Sequence, residues 1–484
     1  MVIDKKKHSD KPRVNQGRSP DIPNPNGIGA STHYNFKGKN LTPYGGLFPV
    51  ATMLERLGLQ KLVDETLLIK RIPRAMNIYQ FVLGMLLSIY LGFARLNHIR
   101  FVAQDPMLTG ILKVSELPGQ STFWRFLASL NLNVAGQLLQ LQRILRERVW
   151  AAAHVGLKSI TLDTDTTVHT LYGRQMGARK GYNPKNKGKK SYQPILTFMA
   201  ETREYMGGEL RNGDRPDGKQ IVRHLQSVFQ ALPKCVETIF ARADSGFYCW
   251  EAVQAYQKAK VRFIMVARKT SRLLDRLQTA DWKPSRKTDA DQQCEFCYQP
   301  EGWGQAYRFI ALRYKKKEEK SPQEREQYQL FDTPEYIYRV FVTDMERAID
   351  LLVWFYNQRA GAENLIKESN NDAGLAQHPS GRWATNCVHF QLVMLAYNLN
   401  CWLLLFQREE GIQVDKLQHT TLATARLRFL FVAARIWKHS GRVGISYSDQ
   451  YAERGLFERL MSRLREIAKG PAGFSPVLAT PLSG

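Results

Sequence analysis

The spacing of apolar residues divides the chain into stretches of different period. Between 46 and 150 they recur every three to four residues, as in PVATMLERLGLQKLVDETL and YQFVLGMLLSIYLGFARL, which predicts short helices packed into a compact domain. In GQSTFWRFLASLN, Ser121 or Thr122 stands where a helix N-cap would. From 158 the pattern changes. KSITLDTDTTVHT reads as a strand with Ile160 and Leu162 on one face. SYQPILTFMAE at 191–201, ETIFARADSGF at 237–247 and VRFIMVAR at 261–268 read as further strands, with helices near 217–231 and at 249–260. Strands alternating with helices predict an α/β sheet with parallel parts.

Residues 269–335 break this rhythm. They begin basic, around Lys269, Arg272 and Arg276, and continue as hairpin-like CEFCYQPEGWGQAYRFIALRYKKK. YIYRVFVTD at 336–344 is again a strand, so 269–335 is expected to be an insertion before the last helix of the sheet domain. That helix, IDLLVWFYNQRAGAENLIKESN, carries a polar stripe: at about 100° per residue, Tyr356, Arg359, Glu363 and Lys367 fall within an arc of roughly 80°. Leu351, Trp354, Phe355, Ala362 and Leu365 fall opposite, as the expected core face. A stripe of one acid, two bases and a phenol can hold a metal ion and a phosphate together; a surface helix with an i,i+4 Glu–Lys pair gives the same pattern. After 376 the chain reads as helical again, QLVMLAYNLNCWLLLF as buried core and 423–445 as a helix bearing Arg426, Arg428, Arg435, Lys438 and Arg442.

Charge narrows the choice of partner. The 484 residues hold 69 Lys and Arg against 44 Asp and Glu, a net charge of +25. An excess of this size fits a polyanion, and no long basic amphipathic helix with a bulky apolar face points to a membrane surface instead. The longest apolar run, 81–93, is too short to span a bilayer, and the first residues lack an apolar signal core, so a cytoplasmic protein without a membrane partner is expected. Six cysteines do not suggest a disulfide scaffold, and the one CxxC, Cys294 and Cys297, lacks the second pair that a zinc site needs. The histidines, among them His169, His224 and His378, show no ligand spacing and read as structural.

Hydrolysis or transfer of a phosphodiester needs charge neutralisation and an activated oxygen, which divalent ions on carboxylates supply. Three acids stand where such a site forms, at the carboxyl ends of neighbouring strands and on a following helix. Asp165 follows the first strand in DTDTT, Asp244 ends IFARAD, and Glu363 lies on the striped helix, with separations of 79 and 119 residues. Asp163, on the same strand face as Asp165, is a rival, and any single Asp at a strand end can be a turn former or helix cap.

With these residues in place, the chain resembles the DDE transposases of bacterial insertion sequences, in the branch whose last acid sits in a Tyr-x2-Arg-x3-Glu helix and the group with the phrase AENLIKE. The matching pieces are LDTDTT at 162–167, GYNPKNKGKKSYQP at 181–194, ARADSGFY at 241–248 and YNQRAGAENLIKE at 356–368, spread over about 155–445. The resemblance implies an RNase H-like α/β catalytic core with a mixed sheet, a β-rich insertion and helical flanks. It selects Asp165, Asp244 and Glu363 as catalytic residues that bind two Mg2+, with Mn2+ as a possible substitute. It implies that Tyr356 and Arg359 hold a phosphate near the scissile bond; core packing and a salt bridge are the alternatives. Related families place a Lys seven residues after the Glu; here that position is Asn370, and Lys367 at plus four is the weaker candidate for a DNA contact. The basic loop 179–190, with Lys185, Lys187, Lys189 and Lys190, suits phosphate contacts. Trp303 in the insertion is a candidate to stack a displaced base, with burial in the core as the alternative; Trp282 is similar.

The expected organisation is a basic mobile arm at 1–44, a helical DNA-binding or assembly domain at 45–150, the core at 151–268 and 336–408, the insertion at 269–335 and a basic helical region at 409–484. The expected activity is binding of terminal inverted repeats in double-stranded DNA, cleavage at the element ends and joining of 3′-OH ends to target DNA, by a homodimer. A nuclease without strand transfer, or a non-catalytic DNA-binding relative, would share much of this pattern.

Overall fold

A nine-stranded mixed sheet organises the molecule. The structure, a computed structural model, describes residues 29–70, 74–93, 95–315, 336–409 and 411–467. The lysines and arginines of the expected arm, Lys5 to Arg18, the end of the expected insertion at 316–335 and the last residues of the chain lie outside the described residues. Residues up to Lys39 form a unit separate from Asn40–Gly484; the remainder of this description concerns the second.

The first five sheet strands are β1 (Ser159–Thr166), β2 (Ile195–Met199), β3 (Tyr205–Glu209), β4 (Thr238–Ala243) and β5 (Arg262–Val266). Their spatial order is β3-β2-β1-β4-β5. β1, β2 and β3 pair antiparallel, whereas β4 lies parallel to β1 and β5 parallel to β4. This is the mixed sheet of an RNase H-like core. A parallel connection needs a crossover, and helices Gly218–Gln230 and Trp250–Lys258 provide the two. The first is set by its N-cap: Asp217 accepts from the backbone of Gln220, whose side chain returns the bond.

The expected hairpin forms, over 292–315, but it is not a separate layer. Strands β6 (Gln292–Tyr298), β7 (Tyr307–Lys315) and β8 (Tyr336–Thr343) continue the same sheet, β8 antiparallel to β5. Cys294 and Cys297 sit three apart on β6, hence on opposite faces, and cannot chelate one ion.

Helices cover the sheet. α1 (Ile78–Tyr90) and α2 (Leu132–Ala152) share one hydrophobic core with the long α3 (Trp383–Gln407) and with Ile160, Leu162, Leu196 and Phe198 of the sheet. α3 is long and apolar enough to cross a membrane, yet 94% of its apolar window is buried inside the protein, which makes it a core helix. The C-terminal region departs from its expected helicity. After a short helical segment ending at Leu430, the chain forms a hairpin of β9 (Ala434–His439) and β10 (Arg442–Tyr447), then α4 (Arg454–Glu466). The physical reason is local: Ser440 and Gly441 both take positive φ, which a two-residue hairpin turn requires and a helix forbids.

Candidate active site

β1 is flanked by β2 and β4, and its two aspartates reach different surroundings. Asp163 is buried and paired with Arg242 of β4, which donates through Nε at 2.6 Å and Nη2 at 2.7 Å. Arg242 also donates to the Phe355 carbonyl at 2.7 Å. Both carboxylate oxygens of Asp163 are thereby occupied, and the rival is a brace between two strands and a helix. Asp165, one step nearer the end of β1, accepts from the Thr166 amide at 2.7 Å and has its other oxygen 2.8 Å from Arg359 Nη2. Asp244 follows β4 and caps the turn 245–247, accepting from the Gly246 amide at 2.9 Å. Glu363 projects into solvent, with Oε1 3.9 Å from Arg359 Nη1.

The polar stripe is not one continuous helix face. The segment forms two helices, an approach helix, Ile349–Asn357, and a Glu363 helix, Ala360–Asn371. Arg359 N bonds to Tyr356 O and Ala362 N to Arg359 O, tightened turns that break the helical phase at Gln358–Arg359. As a result the approach helix is inverted relative to expectation. Leu352, Val353 and Tyr356 are buried, whereas Leu351 and Trp354, expected in the core, are exposed. The Glu363 helix buries Ala362 and Leu365, as the pattern predicts.

Asp165 lies within electrostatic reach of the other two acids. Burial pushes the Asp165 carboxyl up to about 6; Arg359 opposes this, and Asp244 and Glu363 add to it. Burial also opposes the charge on Arg359, but Asp165, Tyr356 and Asp244 more than reverse the effect, so Arg359 holds its proton more tightly than usual. In an isolated ion pair the acid would shift down. Here Asp165 shifts up, because desolvation and two neighbouring acids outweigh one guanidinium.

The other candidates take varied places. Tyr356 packs its ring 4.8 Å from Phe341, with the Arg339 guanidinium over its face, and burial raises its hydroxyl above the usual range. Lys367 is exposed on the Glu363 helix. Lys185, Lys187, Lys189 and Lys190 are all exposed, and Asn183 and Asn186 hold their loop by donating to Thr170, five residues past Asp165, at 3.0 and 3.1 Å. Trp303 is a correction: it is buried, with its ring against Tyr248, Trp250 and Tyr307. It supports the loop after Asp244 and offers no free face to a base. Trp282 is half-buried against Tyr338 and Arg313.

Two features escaped the sequence reading. Asn370, where related families carry Lys, donates to Thr167 at 3.2 Å and contacts His169 at 2.9 Å. It ties the Glu363 helix to the strand end that bears Asp165. His169 in turn contacts His378 at 3.2 Å, so these histidines do pair, although burial lowers them to about 4 and about 3 and keeps them neutral. Their partners lie more than 200 residues away, and no local spacing announces them.

The donor set suits a hard divalent cation, since it consists of carboxylate oxygens alone. It is not preformed: among the described residues no three acidic, His or Cys side chains converge closely enough to chelate. Arg359 neutralises Asp165 instead, while its Nε has no hydrogen-bond partner. A guanidinium with unsatisfied donors against a carboxylate of raised proton affinity is a replaceable counter-charge.

Comparison with known proteins follows this geometry. A family model described as transposase DDE domain group 1 matches residues 25–469. Among solved structures the chain is similar to piggyBac transposase in a synaptic complex with hairpin DNA, at 11% identity and a TM-score of 0.42, covering 89% of this chain and 83% of that one. No curated protein matches.

Proposed function

Since the chain belongs to the transposase DDE domain group 1 family, we propose that it is an insertion-sequence transposase that cleaves double-stranded DNA at terminal inverted repeats and joins the 3′-OH ends to target DNA. The observation that supports this reading is the position of Asp165 and Asp244 at the ends of the neighbouring strands β1 and β4, with Arg359 paired to Asp165 at 2.8 Å and 3.9 Å from Glu363. Asp165, Asp244 and Glu363 would hold Mg2+, with Mn2+ as a substitute, and bound there the metal would acidify a water or 3′-OH and neutralise charge on the leaving oxygen.

The chain's own groups prepare the site. Arg359, once released from Asp165, can grip a phosphate with two donors in a fixed plane, and Tyr356 beside it orients that plane. The four lysines of the 179–190 loop face solvent next to the strand end and suit the DNA backbone on either side of the cut. Lys367, exposed on the Glu363 helix, would add a further phosphate contact. Two ends must be held together for joining, which calls for a dimer.

The test is a labelled end fragment incubated with a target plasmid and Mg2+. Wild-type protein should give both cut and joined products. Asp165→Asn, Asp244→Asn and Glu363→Gln should each lower cleavage by 100-fold or more, roughly the loss of several kcal/mol of charge stabilisation, while end binding in EDTA persists. Undiminished cleavage by any of the three would remove that acid from the site, and cutting without joining would make the protein a nuclease.

A further inference from the structure

Five basic residues in 423–445 were legible as one cluster, and the structure sorts them into two kinds. Arg426 is buried and spends its guanidinium on the backbone: Nε donates to Tyr90 O at 2.7 Å, Nη1 to Asp372 O at 2.8 Å and Nη2 to Ile89 O at 3.1 Å. Arg428 donates to Glu453 at 2.9 Å. Arg435, Lys438 and Arg442 are exposed, lie on the β9–β10 ribbon and have no side-chain hydrogen bond or ion pair among the described residues. The fourteen residues 434–447 contain no acid, so these charges are uncompensated within the ribbon.

The root of the ribbon is fixed. Strand Leu41–Thr42 pairs with Ala434 and Arg435, Tyr447 donates to Gly45 O at 3.1 Å, and Ile436 and Ile445 pack on the main core. The register then assigns the faces. Residues opposite one another share a face, and the pairs Arg435–Ser446, Trp437–Gly444 and His439–Arg442 make an outer face of two arginines, an imidazole and an indole. Lys438 and Val443 pair on the other face, beyond the core, and Val443 is 68% exposed.

Trp437 is held open rather than merely left exposed. Its Nε1 donates to Ser446 Oγ at 3.1 Å. A methyl group at Gly444 would stand 2.1 Å from its ring, so the indole lies flat across a position that only glycine leaves clear. An aromatic plate fixed between cations, on a rigid two-stranded ribbon with a tight turn, is not the arrangement of a solvated loop.

We propose that the ribbon Ala434–Tyr447 is a DNA-docking element. It lies in the major groove of the duplex at the element end, with Arg435, Lys438 and Arg442 on the flanking phosphates and Trp437 against base edges. A two-stranded ribbon fits that groove, where a thymine methyl offers an apolar contact. The proposal rests on the transposition reading above and adds the surface that selects the end, remote in sequence from all three acids.

The experiment measures binding of the full-length protein in EDTA to two duplexes, across a salt series. One duplex copies the DNA just outside the coding region and the other is its scrambled counterpart. Replacing Arg435, Lys438 and Arg442 together by Gln should weaken binding to both and flatten the plot of log affinity against log salt by roughly 2.7, about 0.9 for each phosphate contact. Trp437→Ala should cut the preference for the flanking duplex by roughly 10-fold, the scale of one lost base contact, with the salt slope unchanged. Circular dichroism melts check the fold; if the triple variant is unfolded, Lys438→Gln alone, at the tip, should lower the slope by about one. A variant that binds with the wild-type slope overturns the phosphate contacts, and equal losses on both duplexes from Trp437→Ala overturn base contact. Wild-type protein that binds neither duplex, or binds without salt dependence, would instead sink the transposition reading itself.

Discussion

Asp163 and Asp165 stand two residues apart on β1; burial raises both carboxyls, but only Asp163 has both oxygens held by a guanidinium. Asp163 and Arg242 satisfy each other in the interior, so Asp163→Ala leaves a buried guanidinium without its anion and should cost about 3–5 kcal/mol in urea unfolding. Asp165 has only one oxygen against a guanidinium, and its charge carries a burial penalty. Its folded value of about 6 lies above the ordinary 3.8, so between those pH values the folded state binds more protons than the unfolded one. Stability contributed by the bound proton is complete below about 3.8 and gone above about 6. Asp165→Asn fixes the neutral form; its melting temperature should match wild type at pH 4 and exceed it at pH 7.5. A difference independent of pH would contradict the raised value.

At the scale of elements, the inverted approach helix makes a direct prediction. Leu352 is 2% exposed and Trp354 61% exposed. Leu352→Ala should destabilise by about 2–4 kcal/mol, while Trp354→Ala should stay within about 0.5 kcal/mol; a large cost at Trp354 would restore the single-helix reading. Long alternating or periodic runs announced β1, β4, β5 and α3, because burial on a regular lattice leaves a regular pattern. Asp165, Asp244 and Glu363 could be nominated because their positions at element ends are local. The stripe misled because the tightened turns around Gln358–Arg359 reset the helical phase, and the one glycine among them, Gly361, sits just past the break. β3, with sequence YMGGE, was missed because glycines carry no side-chain alternation. The β9–β10 hairpin hid behind arginines and apolar residues that suit a helix equally well, and only Ser440–Gly441 marked the turn. The buried role of Trp303 depends on Tyr248 and Trp250, more than fifty residues upstream.

Across the whole molecule, the helices before the sheet and the core helix after it are joined by one buried acid. Glu204, in the turn that precedes β3, accepts from Arg146 Nε of α2 at 3.1 Å, from Trp150 Nε1 at 2.9 Å and from Trp402 Nε1 of α3 at 2.7 Å. Arg146 continues the link by donating to Tyr205 O at 2.6 Å. Since one hydrophobic cluster also runs from Leu47 through these helices into β1 and β2, the helical region and the catalytic sheet should unfold together. Glu204→Leu removes the anion from a buried cation and should cost about 3–5 kcal/mol, and it strands two indole donors at about 1–3 kcal/mol each. Pairing it with Arg146→Leu should recover the ionic part but leave the indole part, so the double variant should fall between the single variant and wild type. Fluorescence of Trp150 and Trp402 and far-ultraviolet dichroism should trace the same single transition in urea for all three proteins. Two separated transitions would show that the helical region folds independently of the sheet, and a double variant no more stable than Glu204→Leu would show that the Arg146 pair is not what the lone substitution disrupts.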